Sequence, residues 1–250
     1  MKIRLMSDLH TEFRLPYKSH ALSEYKGEDV LVLAGDIASG SKNTIDVLKY
    51  FAGIFPEVVY VPGNHEYYGT SFEEFNDKMI EKALNYDNIH YLHRDNVLIN
   101  DVRFIGATLW TNFNKDPLSM HAARKMIADF RLIKDFRPDD AIEQFYLDRE
   151  YIKMCYENFT EKKVIVTHFL PARECISPRF KNDHSGLNDY FANNLGDWIF
   201  DLKDTTWMFG HTHDHVDLMI GDTRVVANPH GYWTAMDEGH DFQPHMQIEV

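Results

Sequence analysis

Five short apolar runs in this chain break off into small and polar residues, and that repeated ending constrains the fold more than any other feature. The runs finish in Asp8-Leu9-His10, Gly35-Asp36, Gly63-Asn64-His65-Glu66, Thr167-His168 and Gly210-His211-Thr212-His213. The run at 29–34, DVLVLA, is apolar throughout, as in a strand buried on both faces. Between the runs, Ile45, Leu48, Ala52 and Phe55 recur at helical spacing. Ser71 with Glu74 reads as a capping box opening a helix that carries Phe72, Phe75, Met79 and Ala83. This strand–helix alternation over the first third of the chain predicts an α/β fold.

The pattern then changes. Hairpin signals at Asn100-Asp101 and Gly221-Asp222 mean that the sheet is not purely parallel. Residues 114–160 read as mostly helical, with Pro138 suited to a first helical turn. Residues 170–189 read as a long loop, 190–200 as a helix and the tail HMQIEV as a last strand. With no repeat and no linker, the expectation is a single domain, 1–250, with a helical insertion at about 114–160.

Composition narrows the function. A 44% hydrophobic share supports a large core, and a net charge of −13 argues against a broad basic face for nucleic acid. A nucleotide substrate stays open, because a bound metal can reverse the local field. Cys155 and Cys175 have no C-x-x-C spacing and read as free thiols in a reducing cytosol. The N-terminus MKIRLMSDLH has no signal-peptide pattern, and no run reaches the length of a membrane span. The expected location is cytoplasmic; the oligomeric state is left open.

In open α/β sheets, ligands sit beyond the carboxyl ends of the strands. Two Asp, one Asn and five His therefore converge there from distant parts of the chain. Such oxygen and nitrogen donors suit Mn, Fe, Zn or Ni, and the lack of thiolates disfavours a structural zinc. More donors gather than one tetrahedral ion uses, which suits two ions sharing a carboxylate. In G-H-T-H, residues two apart on an extended strand face one spot. Gly35, Gly63 and Gly210 let the chain turn and neighbours approach closely.

The ordered set D-x-H, G-D, G-N-H-E, an isolated His after a strand and G-H-x-H, spanning residues 8–213, resembles the calcineurin-like metallophosphoesterase superfamily. The resemblance implies a four-layer α/β/β/α sandwich of two mixed β-sheets, with a dinuclear metal site at the strand C-terminal ends. By the same resemblance Asp8, His10, Asp36 and His213 hold one ion, and Asp36, Asn64, His168 and His211 hold the other. His65 matches the histidine that faces substrate without binding metal, and Glu66 resembles a supporting residue that would orient it. The phosphoprotein-phosphatase branch carries an Arg shortly after the bridging Asp. Here Ile37-Ala38-Ser39-Gly40-Ser41 follows, so the chain is more similar to the small branch that includes cyclic-nucleotide phosphodiesterases.

The function implied is a dinuclear-metal-dependent phosphoester hydrolase. Two divalent cations, with Mn and Fe favoured over Zn and Ni, leave the site at about +2 once Asp8 and Asp36 are counted. A bridging hydroxide would attack the phosphorus of a small phosphodiester or nucleotide-like substrate, and His65 would protonate the leaving alkoxide. The alternatives are a phosphomonoesterase or phosphoprotein phosphatase, and a catalytically silent binding module on the same fold. Around this centre, Trp110 reads as core rather than pocket wall. The Arg124, Arg131 and Arg137 segment reads as a solvated cover or a specificity cap. The 170–189 loop, with Arg173, Arg179, Lys181 and His184, is placed to touch substrate. NPHGYW (228–233) reads as a turn, with Asn228 and His230 as its candidates for the site.

Overall fold

A computed structural model describes residues 1–13, 18–183, 185–232 and 241–250. The chain begins β1 (Lys2–Met6), α1 (His20–Ser23), β2 (Val30–Ala34), α2 (Ser41–Ala52), β3 (Glu57–Val61), α3 (Phe72–Ala83) and β4 (Ile89–Tyr91). A hairpin, β5 (Asp95–Ile99) and β6 (Val102–Gly106), opens the second half. Three helices follow: α4 (Pro117–Met126), α5 (Asp129–Leu132) and α6 (Pro138–Asn158). Then come β7 (Lys162–Val166), α7 (Asn188–Phe191), α8 (Gly196–Asp201), β8 (Thr205–Phe209), β9 (Val216–Ile220), β10 (Thr223–Ala227) and β11 (Gln247–Glu249).

The strands form two mixed sheets. One has the order β11-β1-β2-β3-β4, the other β5-β6-β7-β8-β10-β9. Within the first, β1 to β4 run parallel and β11 is antiparallel. Within the second, β6, β7, β8 and β10 run parallel, and antiparallel β5 and β9 close the edges. Side chains two apart on a strand share a face, and the burial pattern divides accordingly. Ile3, Leu5, Val30, Val32, Val59 and Val61 of the first sheet pack with Phe104, Val164, Val166, Met208 and Val226 of the second. The alternate residues Leu31, Leu33, Val58 and Tyr60 turn the other way, into a cluster with Leu48, Phe51, Phe75 and Met79 of α2 and α3. Ile105, Ile165, Trp207 and Val225 belong to that larger cluster too, with Phe145, Ile152 and Ile199 of α6 and α8. The result is a four-layer α/β/β/α sandwich, and it explains why the central strands are apolar on both faces.

Local signals account for most boundaries. Ser71 Oγ accepts from the Glu74 N–H at the start of α3, and Pro138 occupies the first turn of α6. Both hairpins turn where expected, with register Ile99↔Val102 and Ile220↔Thr223. Two readings need correction. The 190–200 stretch is not one helix but the short α7 and α8, parted by Ala192–Leu195, because Asn193 donates its side chain to the carbonyls of Leu109 and Trp110. The three-residue β4 was missed, being too short for a periodic signal; it pairs with β3. Trp110 is core, 2% exposed and packed among Phe72, Phe136 and Phe169.

The helices of 117–158 are anchored by Asp148 of α6. Its carboxylate accepts from the Leu109 N–H at 2.8 Å and from Arg94 Nη1 at 2.7 Å. Burial raises Asp148 to about 6, against the pull of Arg94. Among the described residues no helix is long and apolar enough to cross a membrane.

Candidate active site

The parallel strands of both sheets end on one side, and the residues after β1, β2, β3, β7 and β8 meet there. The sheets are stitched at this edge. Ser7 N–H donates to the Asn228 carbonyl at 3.3 Å, and His230 N–H to the Ser7 carbonyl at 2.9 Å. All eight polar residues singled out from the sequence come together, in three overlapping groups: Asp8, His10 and His213; His10, Asp36 and His65; Asp36, His168 and His211. The donor atoms within each group lie within 4.8 Å of one another. Asn64 joins the last group, its Oδ1 being 3.1 Å from His168 Nε2.

The backbone under these residues is strained. Asp8, His10, Asp36, His211 and His213 all have positive φ, between 45° and 67°. For a residue with a Cβ such a conformation costs about 1–3 kcal/mol and persists only where surrounding contacts enforce it. The contacts are present. Asp8 N–H donates to the Gly35 carbonyl and His10 N–H to that of Asp36, at 3.0 and 2.9 Å. His211 N–H donates to the Asp8 carboxylate, and His65 N–H to Asp36 Oδ1 at 2.9 Å. Glycines make the room. A Cβ on Gly63 would collide with Asp36 Oδ1 and His168 Nε2, and one on Gly35, where φ is 85°, with the His168 ring.

Glu66 has a different job from the one the resemblance implied. It does not orient His65. Its two oxygens accept from the N–H groups of Asp36, Ile37 and Gly63 at 3.0, 2.7 and 2.7 Å, binding the β2 and β3 loops to each other. Burial and then the neighbouring Asp36 carboxylate push it up to about 8, with the Ile37 and Gly63 donors opposing. The residue that orients His65 is Glu12, whose Oε1 lies 3.0 Å from His65 Nδ1 and 3.1 Å from His10 Nδ1. Burial works against an ionised Glu12, but the bonds from His10 and His65 bring it down to about 2. With Nδ1 of both rings occupied, both Nε2 atoms face inward.

Three more residues were not singled out from the sequence. Asp129 is fully enclosed and accepts from Asn64 Nδ2 at 3.0 Å, Tyr68 Oη at 2.7 Å and the Tyr190 hydroxyl. It thereby turns the Asn64 oxygen toward His168. Tyr232 Oη lies 3.3 Å from His65 Nε2, with its ring against His10 and His213. Glu12 had a weak signal, a carboxylate two residues after His10. Asp129 had none, being one acid among many in 114–160. Tyr232 belongs to the flagged NPHGYW segment, but the flagged residues differ in role. Asn228 is buried and holds the Leu5 and Gln243 carbonyls, and His230 packs on Phe242. His184 and Trp233 lie outside the described residues.

The donor set fits divalent cations. His168 Nδ1 donates to the Ala34 carbonyl at 2.8 Å, which directs Nε2 into the site, 3.4 Å from Asp36 Oδ2. His10 Nε2 and His213 Nε2 stand 3.1 Å apart, as two ligands of one ion would. His211 Nε2 is buried without a hydrogen-bond partner, an orphan that a metal would satisfy. The electrostatics agree. Burial disfavours a charged His168, yet Asp36 and then Asp8 carry it up to about 9. Burial and the adjacent His168 hold His211 well below the usual imidazole range. Two buried carboxylates thus favour positive charge in the site.

A cavity of about 730 Å³ opens from these residues. Asp36, Asn64, His65, His211 and His213 form its floor, α4–α5 residues Met126–Asp129 one wall, and 176–191 much of the other. The helical stretch after β6 therefore reaches the cavity, through Met126, Ile127, Ala128 and Asp129 rather than through Arg124, Arg131 or Arg137.

Comparison with known proteins agrees with this geometry. The sequence pattern of the calcineurin-like phosphoesterases matches residues 1–215, and the chain belongs to that family. An uncharacterized protein of Acanthamoeba polyphaga mimivirus is 28% identical, covering 99% of this chain and 96% of its own length. Among solved structures, the phosphopantetheinyl hydrolase of Mycobacterium tuberculosis superposes with a TM-score of 0.75 at 17% identity, covering 92% of this chain and 89% of that one. A dimetal phosphatase from Danio rerio gives 0.52 at 15% identity, covering 91% and 86%. The fold is therefore that of metallophosphoesterases, a metal-dependent family.

Proposed function

We propose that this protein is a dinuclear-metal-dependent phosphoester hydrolase whose substrate is a small phosphodiester, nucleotide-like compounds included. The observation that carries the reading is the interlocking of the three donor groups, His10 joining the first to the second and Asp36 the second to the third. Asp8, His10, Asp36 and His213 would hold one cation, and Asp36, Asn64, His168 and His211 the other, with Mn and Fe preferred to Zn and Ni. Such cations supply Lewis acidity, acidifying water and offsetting negative charge on phosphoryl oxygens.

The chain's own residues do the rest. Glu12 holds the His65 ring by Nδ1, so that Nε2 faces the cavity and can give a proton to the departing alkoxide. Asp129 holds the Asn64 amide, and Glu66 holds the two loops that carry Asp36 and Asn64. A diester is favoured over a monoester by charge. A monoester dianion needs cationic clamps, whereas the described cavity wall offers one Arg and no Lys, and that Arg179 is paired with Asp214 at 2.8 Å. The buried free thiols Cys155 and Cys175 suit a reducing, cytoplasmic setting.

The test uses metal-depleted protein with Mn²⁺, Fe²⁺, Zn²⁺ or Ni²⁺ restored one at a time, assayed on bis(4-nitrophenyl) phosphate and 4-nitrophenyl phosphate. At least one metal should restore turnover, faster on the diester. Faster monoester cleavage overturns the diester preference, and inertness toward both overturns the enzymatic reading.

A further inference from the structure

We infer that the outer cavity binds an uncharged, largely apolar organic arm of the phosphoester, and that this arm rather than extra anionic groups sets specificity. The inference rests on the proposed function for the position of the phosphorus, over the Asp36 and His65 floor. Three observations carry it.

The first is size. Pockets of about 300–1,000 Å³ enclose drug-sized ligands, and about 730 Å³ is far more than a phosphoryl group needs. The second is the lining. Beyond the polar floor the walls present Met126, Ile127, Leu170, Ile176, Phe180 and Leu187. Met126 is 58% exposed and Phe180 43% exposed, although both are large and apolar. Side chains of that kind at the mouth of a cavity leading to a polar centre offer contact to something apolar entering it. The third is charge. Asp183 lines the same space, and Arg179, the one Arg or Lys among the described lining residues, is already paired with Asp214. Among the described lining residues, a second phosphate, a polyphosphate or an acidic peptide would find a single guanidinium, already engaged by a carboxylate. Ser177 and Asn182 add a hydroxyl and a carboxamide to the lining, which suits an arm with scattered neutral hydrogen-bonding groups.

The test separates the arm from the chemistry. Methylphosphonate, hexylphosphonate and 5-carboxypentylphosphonate are titrated calorimetrically into Mn²⁺-reconstituted protein, with no turnover involved. Burying part of the added chain should make hexylphosphonate bind about thirty-fold more tightly than methylphosphonate. The terminal carboxylate should cancel most of that gain. Met126→Asp and Phe180→Asp, both at exposed positions, should bring the hexyl-to-methyl ratio close to one with an unchanged melting temperature. Equal binding of methyl and hexyl compounds, or tightest binding of the carboxylate, overturns the inference even if the diester assay succeeds. A hexyl preference in a protein inert toward esters upholds the inference as a binding property and rejects only the hydrolase.

Discussion

The floor and the walls of the cavity are built by opposite means. The floor is made of strand ends, where five of the seven candidate ligands carry left-handed backbone held by directed hydrogen bonds. The walls come from α4, α5 and the 176–191 loop and expose apolar side chains such as Met126 and Phe180. Strain at the floor is held by two packed sheets, whose close-packed interior resists relaxation. The walls need no such support, because an apolar contact is non-directional and tolerates displacement. The difference suggests a division of labour, with rigid chemistry below and a shape-selective cover above.

The sharpest way to break this comparison is Asp36→Asn. If the floor is one unit sharing that carboxylate, metal analysis should show loss of bound metal and turnover should vanish. Retention of both ions would dissolve the shared-carboxylate picture. Next, His65→Ala should leave metal content intact and lower turnover by about 10²–10⁴-fold. Loss of metal in that variant would make His65 a ligand instead of a proton donor.

Asp148 probes the anchoring of the cover. Its folded pKa of about 6 lies above the ordinary carboxylate value, so the fold favours the neutral form. That contribution is fully present below the unfolded value of 3.8 and is lost as pH rises through about 6. In urea unfolding, the stability of the wild type relative to Asp148→Asn should therefore fall by roughly 2–3 kcal/mol between pH 4 and pH 7. A pH-independent difference would deny the buried carboxylate that role. The smallest expected effect joins the two regions. Asp129→Asn removes one acceptor from the Asn64, Tyr68 and Tyr190 hub and should weaken metal affinity by about 10–100-fold while the melting temperature holds. Unchanged affinity would reduce the cover to shape alone.

The contrast also explains what could be read in advance. The floor was legible because each of its residues follows a strand, and a buried strand leaves a strong apolar signal with a fixed end. Gly63-Asn64-His65 announces itself within a few residues. Glu66 departs from the role the resemblance implies because its neighbour in sequence is not its partner in space. Glu66 instead bonds backbone some thirty residues away, at Asp36 and Ile37, and Glu12 reaches His65 from a 53-residue distance. Asp129 left no periodic or motif-like trace, and Tyr232 lay within the NPHGYW turn without standing out from it.

By itself, then, the sequence determined the α/β class, the two hairpins, the apolar central strands and the identity of the converging donors. These depend on local periodicity and on the general rule that ligands gather at strand ends. Only the tertiary structure decided which carboxylate orients which imidazole, that Asp129 of α5 holds the Asn64 amide, and that the cavity wall is largely apolar. Those outcomes depend on how distant segments pack, and contacts of that range have no signature in the order of residues along a single chain.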